Sequence, residues 1–185
     1  MNTDILQGDR VRLAVPDFEK DFALFERWQR HTEYARLLDF GPIMVWSAEE
    51  MRAWHEKQTG PKYFFLIRRL SDDAPIGFID LDGVDQLNHS AWVGIAIGEP
   101  ECWSQGYGAD AMRVLMRYAF MELNLHRVNL DVFADNPRAI KSYENAGFVQ
   151  EGTAHAMLCR DGRRWDVVYM GILRSDWDKL HGSPG

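Results

Sequence analysis

Apolar positions recur along this chain in two rhythms, every second residue in some segments and every third or fourth in others. Val11, Leu13 and Val15 alternate with polar neighbours, the period of a half-buried first strand over 8–15. Asp17 then offers an N-cap, and Phe18, Phe22 and Phe25 fall on one helical stripe. Ser47-Ala48-Glu49-Glu50 has the form of a capping box and predicts a second helix that runs to about Lys57. Strands are expected over 63–69 and 75–83, and over 90–98 after a turn at 85–88. The next helix, over 106–123, carries Met112, Leu115, Met116, Ala119 and Phe120 at three- and four-residue spacing. Residues 127–133 alternate as a strand, and Asn136-Pro137 opens a fourth helix that Gly147 closes. Closing strands at about 148–158 and 164–173 flank the turn Asp161-Gly162, and residues from Leu180 read as a frayed tail. This order of elements predicts an α/β fold whose N-terminal half is largely antiparallel.

One junction in that pattern carries chemistry. The strand ending Ile95-Ala96-Ile97-Gly98 runs through Glu99-Pro100-Glu101-Cys102-Trp103-Ser104-Gln105 into Gly106-Tyr107-Gly108-Ala109, where a helix begins at once. Bare amides at the positive end of a helix favour phosphate, and glycine lets the backbone come close to a bound group. The loop has no Lys-Ser/Thr pair, so it is not a nucleotide P-loop. It also lacks the third glycine of a dinucleotide fingerprint. A diphosphate-bearing cofactor is the ligand it predicts.

About thirty residues further on stands Asn136-Pro137-Arg138-Ala139-Ile140-Lys141-Ser142-Tyr143-Glu144-Asn145-Ala146-Gly147-Phe148. The two segments together resemble the GNAT superfamily of N-acetyltransferases. The first resembles that family's pyrophosphate loop, Q/R-x-x-G-x-G/A, and the second its N-x-x-A-x-x-x-Y-x-x-x-G-F helix. Leu125-His126-Arg127-Val128 and Val168-Tyr169-Met170-Gly171-Ile172-Leu173 are similar to the branch that acetylates ribosomal-protein N-termini. The resemblance covers about residues 8–178 and implies one N-acetyltransferase domain over 1–185. It implies a mixed, mostly antiparallel sheet of about seven strands, flanked by four helices, whose fourth and fifth strands splay apart around acetyl-coenzyme A. The activity implied is direct acetyl transfer to a primary amine in a ternary complex. The acceptor would be a protein N-terminus, a polyamine or a small-molecule amine.

The resemblance also distributes roles. Ile95, Ala96 and Ile97 would pair with the pantetheine arm and steady the oxyanion through backbone amides. Trp103, Ser104, Gln105, Gly106, Tyr107, Gly108 and Ala109 would meet the pyrophosphate, with Trp103 standing where the family has Gln or Arg. Asn136 would contact the cofactor, Arg138 its phosphates, and Tyr143 would both touch it and act as general acid. From the residues themselves, Glu99 is the candidate base, because it follows the fourth strand beside the loop. Asp80 and Asp82 share a strand face with Phe78, and Trp28, Tyr34, Trp46 and Trp54 lie in the segment expected to shape the acceptor pocket. Many relatives carry Glu where this chain has Trp92. With Trp103, that substitution keeps open a second reading, a non-catalytic acyl-coenzyme A-binding sensor or regulatory protein.

Composition trims these possibilities. The chain has 185 residues, 46% of them hydrophobic and 26% charged, which suits one globular domain. Its formal net charge of −7 argues against nucleic acid and favours cationic partners. Neither a leader nor a membrane-spanning apolar run is evident, so a cytoplasmic protein without membrane contact is expected. Cys102 and Cys159 give no disulfide framework and no metal-ligand spacing, and neither has a base partner in sequence for acyl-enzyme chemistry. The ends of the closing hairpin leave a homodimer open.

Overall fold

The computed structural model describes residues 4–57 and 63–182. Its elements follow the order β1 (Val11–Ala14), α1 (Phe18–Gln29), α2 (Thr32–Leu38), α3 (Ala48–Lys57), β2 (Tyr63–Arg69), β3 (Pro75–Asp85) and β4 (Ser90–Ile97). A 3-10 turn (Pro100–Cys102) leads to α4 (Tyr107–Met121), β5 (Arg127–Phe133), α5 (Pro137–Asn145), β6 (Val149–Arg160), β7 (Arg163–Leu173) and α6 (Arg174–His181). The strands form one seven-stranded sheet in the order β1-β2-β3-β4-β5-β7-β6. Every neighbouring pair is antiparallel except β4 and β5.

Strand alternation sorts side chains to two faces. Ile79 and Leu81, Ala91 and Val93, Val128, Leu130 and Val132, and Val168, Met170 and Ile172 all join the cluster that buries Met112, Leu115, Met116 and Phe120 of α4. The opposite face carries Leu66 and Phe78 beneath Phe22, Phe25 and Trp28 of α1 and Tyr34 of α2. Phe25 meets Trp28 edge-on at 5.3 Å and lies 5.7 Å from Phe78.

Six helices, not four, flank the sheet among the described residues. The seven-residue α2 buries only Tyr34 and Ala35, too few positions to make a readable period. In α6 the one buried residue is Trp177, 5.7 Å from the ring of Phe120 and stacked on His181 at 4.8 Å. Leu180 therefore belongs to a helix and not to a frayed tail. A polar helix fastened by a single aromatic has no sequence period to betray it. The side chains of Phe18 and Trp54, and residues 183–185 of the expected tail, lie outside the described residues.

The parallel pair decides the shape of the site. β4 and β5 are partnered only at Ser90 with Arg127, Ala91 with Val128 and Trp92 with Asn129. Beyond Trp92 the two strands run on to Ile97 and Phe133 without pairing, so they part as the arms of a V. Asn129 closes the crotch, its side-chain amide donating to the carbonyl of Ala91 at 3.1 Å.

At the open end, α4 is tied to β1 by Asp110, a carboxylate only 2% exposed. It accepts the amides of Asp9, Arg10 and Val11 at 3.3, 2.8 and 3.0 Å and the guanidinium of Arg113 at 3.0 Å. A charged acceptor serving several buried donors is costly to remove, because each donor then loses its partner. Asp110→Ala is expected to destabilise the fold by about 3 kcal/mol, read as a lowered urea midpoint. A midpoint equal to that of the wild type would show that this tie contributes nothing.

Candidate active site

Between the arms of the V lies a cleft of about 710 Å³. One wall is the free edge of β4 from Val93 to Ile97, and the other is Asp131, Val132 and Phe133 of β5 with the inner side of α5. The start of α4 and, from α2 and its exit, Tyr34, Leu37, Leu38, Asp39 and Phe40 complete the lining.

The loop between β4 and α4 is built to present backbone amides. Gly106 is the N-cap of α4 with φ +85°, a left-handed conformation that glycine adopts without strain. Ser104 is also left-handed, with φ +60°. The first amides of α4, at Tyr107, Gly108 and Ala109, have no carbonyl one turn back to bind, and all three residues line the cleft. The loop is held from outside by Arg10, which donates to the carbonyl of Gln105 at 3.0 Å.

Trp103 is spent on structure as well as on lining the cleft. Its indole N–H donates to the carbonyl of Ile97 at 2.7 Å, satisfying an acceptor at the free end of β4. The guanidinium of Arg138 lies over its ring at 4.2 Å from the centroid, and His31 meets it edge-on at 5.3 Å. Arg138 also approaches Glu33 at 3.5 Å. A cation is thus parked beside the loop in which Trp103 replaces the usual Gln or Arg.

On α5, Asn136 caps the helix by accepting the amide of Ala139 at 3.1 Å. One turn further on, the half-buried Tyr143 lines the cleft, its ring 6.3 Å from Phe148. Burial first, and the charge of Asp131 second, push the phenol up to about 12. It therefore keeps its proton throughout the neutral range.

Most of the expected cofactor residues come together here. Ile95, Ala96, Ile97, Trp103, Ser104, Gly106, Tyr107, Gly108, Ala109, Asn136, Arg138 and Tyr143 all line the cleft. Gln105 does not, because its side chain turns back to the carbonyl of Glu101. Glu99 is also placed outside. Its carboxylate is paired with Arg27 and accepts the indole N–H of Trp28 at 2.9 Å. Trp28 itself is core, 1% exposed, with its ring filling the space that a side chain at Gly98 would need. It cannot wall an acceptor pocket from there.

Of the other acceptor candidates, Tyr34 lines the cleft although it is buried, and its phenol is raised by that burial. Trp46 stands off the cleft, its amide donating to Gln29 at 3.1 Å. Asp82 is exposed and accepts the amide of Gly83 at 2.7 Å. Asp80 is half-buried against Gly94, a cleft residue; its oxygen lies 2.5 Å from where a β-carbon on Gly94 would stand. Asp39, in the segment expected to shape the acceptor pocket, lines the cleft from the exit of α2. Nothing in the sequence pattern marks Gly94 and Asp131 for the site; only the splay of two strands brings them to the cleft.

The donor set fits a diphosphate cofactor with an amide-bearing arm. Unpaired helix amides and Arg138 suit the phosphates. The five-residue free edge of β4 offers about 16 Å of backbone to the arm. Among the described residues no cluster of His, Cys, Asp and Glu is suited to hold a metal, and no helix is long and apolar enough to cross a membrane.

Comparison with known proteins agrees with this geometry. The family model described as the acetyltransferase (GNAT) domain matches residues 10–149. The SPbeta prophage-derived uncharacterized N-acetyltransferase YokL of Bacillus subtilis is 29% identical over 136 residues, which are 74% of this chain and 76% of that protein. YdaF of the same organism, named provisionally as a ribosomal N-acetyltransferase, is 35% identical over 109 residues, 59% of each chain. The crystal structure of spermidine N-acetyltransferase from Vibrio cholerae in complex with CoA and spermine superposes with a TM-score of 0.80 at 26% identity, covering 90% of this chain and 97% of that one.

Arg138 is expected to supply charge to a bound diphosphate, so Arg138→Ala should raise the dissociation constant of coenzyme A about tenfold, roughly 1.4 kcal/mol. Isothermal titration calorimetry reads this directly. A constant within twofold of the wild type would remove Arg138 from the cofactor site.

Proposed function

The chain belongs to the GNAT acetyltransferase family, whose members are acetyl-coenzyme A-dependent acyltransferases. On that premise we propose that it acetylates a primary amine by direct transfer, with both substrates held together in the V-shaped cleft. The observation that carries this reading is the free edge of β4 running into the bare amides of α4, with Tyr143 facing it across the cleft.

Acetyl-coenzyme A supplies an acyl group activated as a thioester. The chain's own residues then have three tasks. Amides of β4 around Ile95–Ile97 donate to the oxygen that gains negative charge, from a strand edge that needs no rearrangement to do so. The α4 amides and Arg138 hold the phosphates and thereby fix the position of the reacting carbon. Tyr143, on the cleft lining, would meet the departing sulfur. A thiol of pKa roughly 8.5 is a better acid than this phenol, so full proton transfer from Tyr143 runs uphill. Tyr143 acts chiefly by donating a hydrogen bond as charge develops there, and the proton shed by the acylated nitrogen ends on the thiolate, giving the free thiol.

Direct transfer is also favoured by Cys102. It lines the cleft, but burial pushes its thiol up, so it offers no ready nucleophile for an acyl-enzyme. Glu99, spent on Arg27 and Trp28, is better assigned to holding the loop against α1 than to taking a proton. An α-amino group of pKa about 8 is already partly neutral at working pH. Peptide N-termini thus stand beside polyamines as acceptors. A cytoplasmic location suits either.

The test is free-thiol release from acetyl-coenzyme A with peptides beginning in Ala, Ser or Met, spermidine, free amino acids and an aminoglycoside. Amine-dependent release is expected. Tyr143→Phe should lower kcat about a hundredfold while coenzyme A affinity stays within twofold. An unchanged kcat would dismiss the donor role.

A further inference from the structure

Strand register places two carboxylates on either side of the β4–β5 splay. Asp80 of β3 is partnered with Gly94 of β4, and Asp131 of β5 with Tyr169 of β7. The last parallel partners are Trp92 and Asn129. Two residues on, an unbroken ladder would set Gly94 beside Asp131. Asp80–Gly94 and Asp131–Tyr169 are thus two halves of one row, divided by the splay.

Both carboxylates point to the same face. Ile79, Leu81, Leu130 and Val132 turn toward α4, so Asp80 and Asp131 turn away from it, to the side of Phe78 and Phe133. Asp131 lines the cleft, and Asp80 lies against Gly94 on its rim. Among the described residues neither has an ion-pair partner, whereas Glu26, Asp72, Asp73, Glu151 and Asp161 on this protein's surface do. The charged neighbours they feel are acidic: Asp82 on β3 for Asp80, and Asp39 from the exit of α2 for Asp131. β4 contributes no charge, only the Gly94 amide, which favours the ionised form of Asp80. Trp92 of the neighbouring row and Tyr169 at the β7 end of this one meet edge-on at 6.3 Å, an aromatic pair suited to an alkyl chain or a cation.

The geometry points to a two-carboxylate receiver for an acceptor that carries two positive charges, a diamine or longer polyamine. Asp131, on the side of Tyr143, faces the reacting nitrogen, and Asp80 takes the second ammonium. This rests on the acetyltransferase reading and narrows its acceptor to one class. Titration follows from the surroundings. Burial, then Asp82, push Asp80 up to about 7, and burial, then Asp39, raise Asp131. Alkylamines of pKa near 10 stay charged over the same range. Diamine binding should therefore strengthen as pH rises through 7 and the carboxylates ionise.

Calorimetry of 1,4-diaminobutane and butylamine with the coenzyme A-loaded protein tests this. At pH 8 the diamine should bind at least about tenfold tighter than the monoamine, and that preference should shrink at pH 6. Asp80→Asn and Asp131→Asn should each bring the diamine to within about threefold of butylamine, whereas a control at the exposed Glu122 past the end of α4, Glu122→Gln, should retain the preference. Both test substitutions remove a charge that the fold disfavours, so their Tm at pH 8 should not fall below that of the wild type. Equal binding of the two amines by the wild type, or an undiminished preference in either test variant, would overturn the receiver. Tight diamine binding without thiol release would instead sink the catalytic reading and leave the receiver standing.

Discussion

Everything at this site depends on the early end of the β4–β5 ladder. Three partnered positions hold the strands together, and the next five residues of β4 keep their extended shape, paired to β3 on one side and to no strand on the β5 side. An unpaired strand edge inside a protein carries donors and acceptors that must find partners. The chain satisfies some of them itself: the Trp103 indole bonds the Ile97 carbonyl, and at the crotch the Asn129 amide bonds that of Ala91. What is left open is a strip of backbone suited to a ligand that can act as a missing strand.

The same divergence gives the cleft groups of both signs. Its lining collects unpaired helix amides and Arg138 together with Asp39 and Asp131, and Asp80 lies against Gly94 on its rim. Anionic phosphates and a cationic amine would each meet groups of opposite sign in one trough. The acidity of the chain as a whole points the same way, but a net charge of −7 says nothing about where charges stand. Register does.

Several tryptophans illustrate how one residue type is put to different uses. Trp28 fills the space over Gly98 and fastens Glu99, so it stiffens the strand exit. Trp103 holds the Ile97 carbonyl at that exit while giving Arg138 a surface to lie on. Trp92, exposed and beside Tyr169, is free to meet a substrate. Sequence alone grouped them by position along the chain. Their burial and the direction of their N–H groups separate support from surface.

Local periodicity and capping by themselves determine most of the elements of this fold. Strands over 127–133 and 63–69, the α4 stripe, the Asn136 cap and the Asp161-Gly162 turn depend on residues close in sequence, and they stand where the pattern put them. The glycine-bearing loop and the Asn136–Phe148 segment were legible for the same reason, since a helix N-terminus is a local structure. The short α2 and the polar α6 were not, because each is held by one or two buried side chains and not by a repeating face. The partners of Glu99, the burial of Trp28 and the approach of Asp80 and Asp131 to one cleft were decided only by tertiary structure. Each is a contact between residues far apart in the chain, set by which strands pair and where they stop pairing, and no spacing within a single element encodes it.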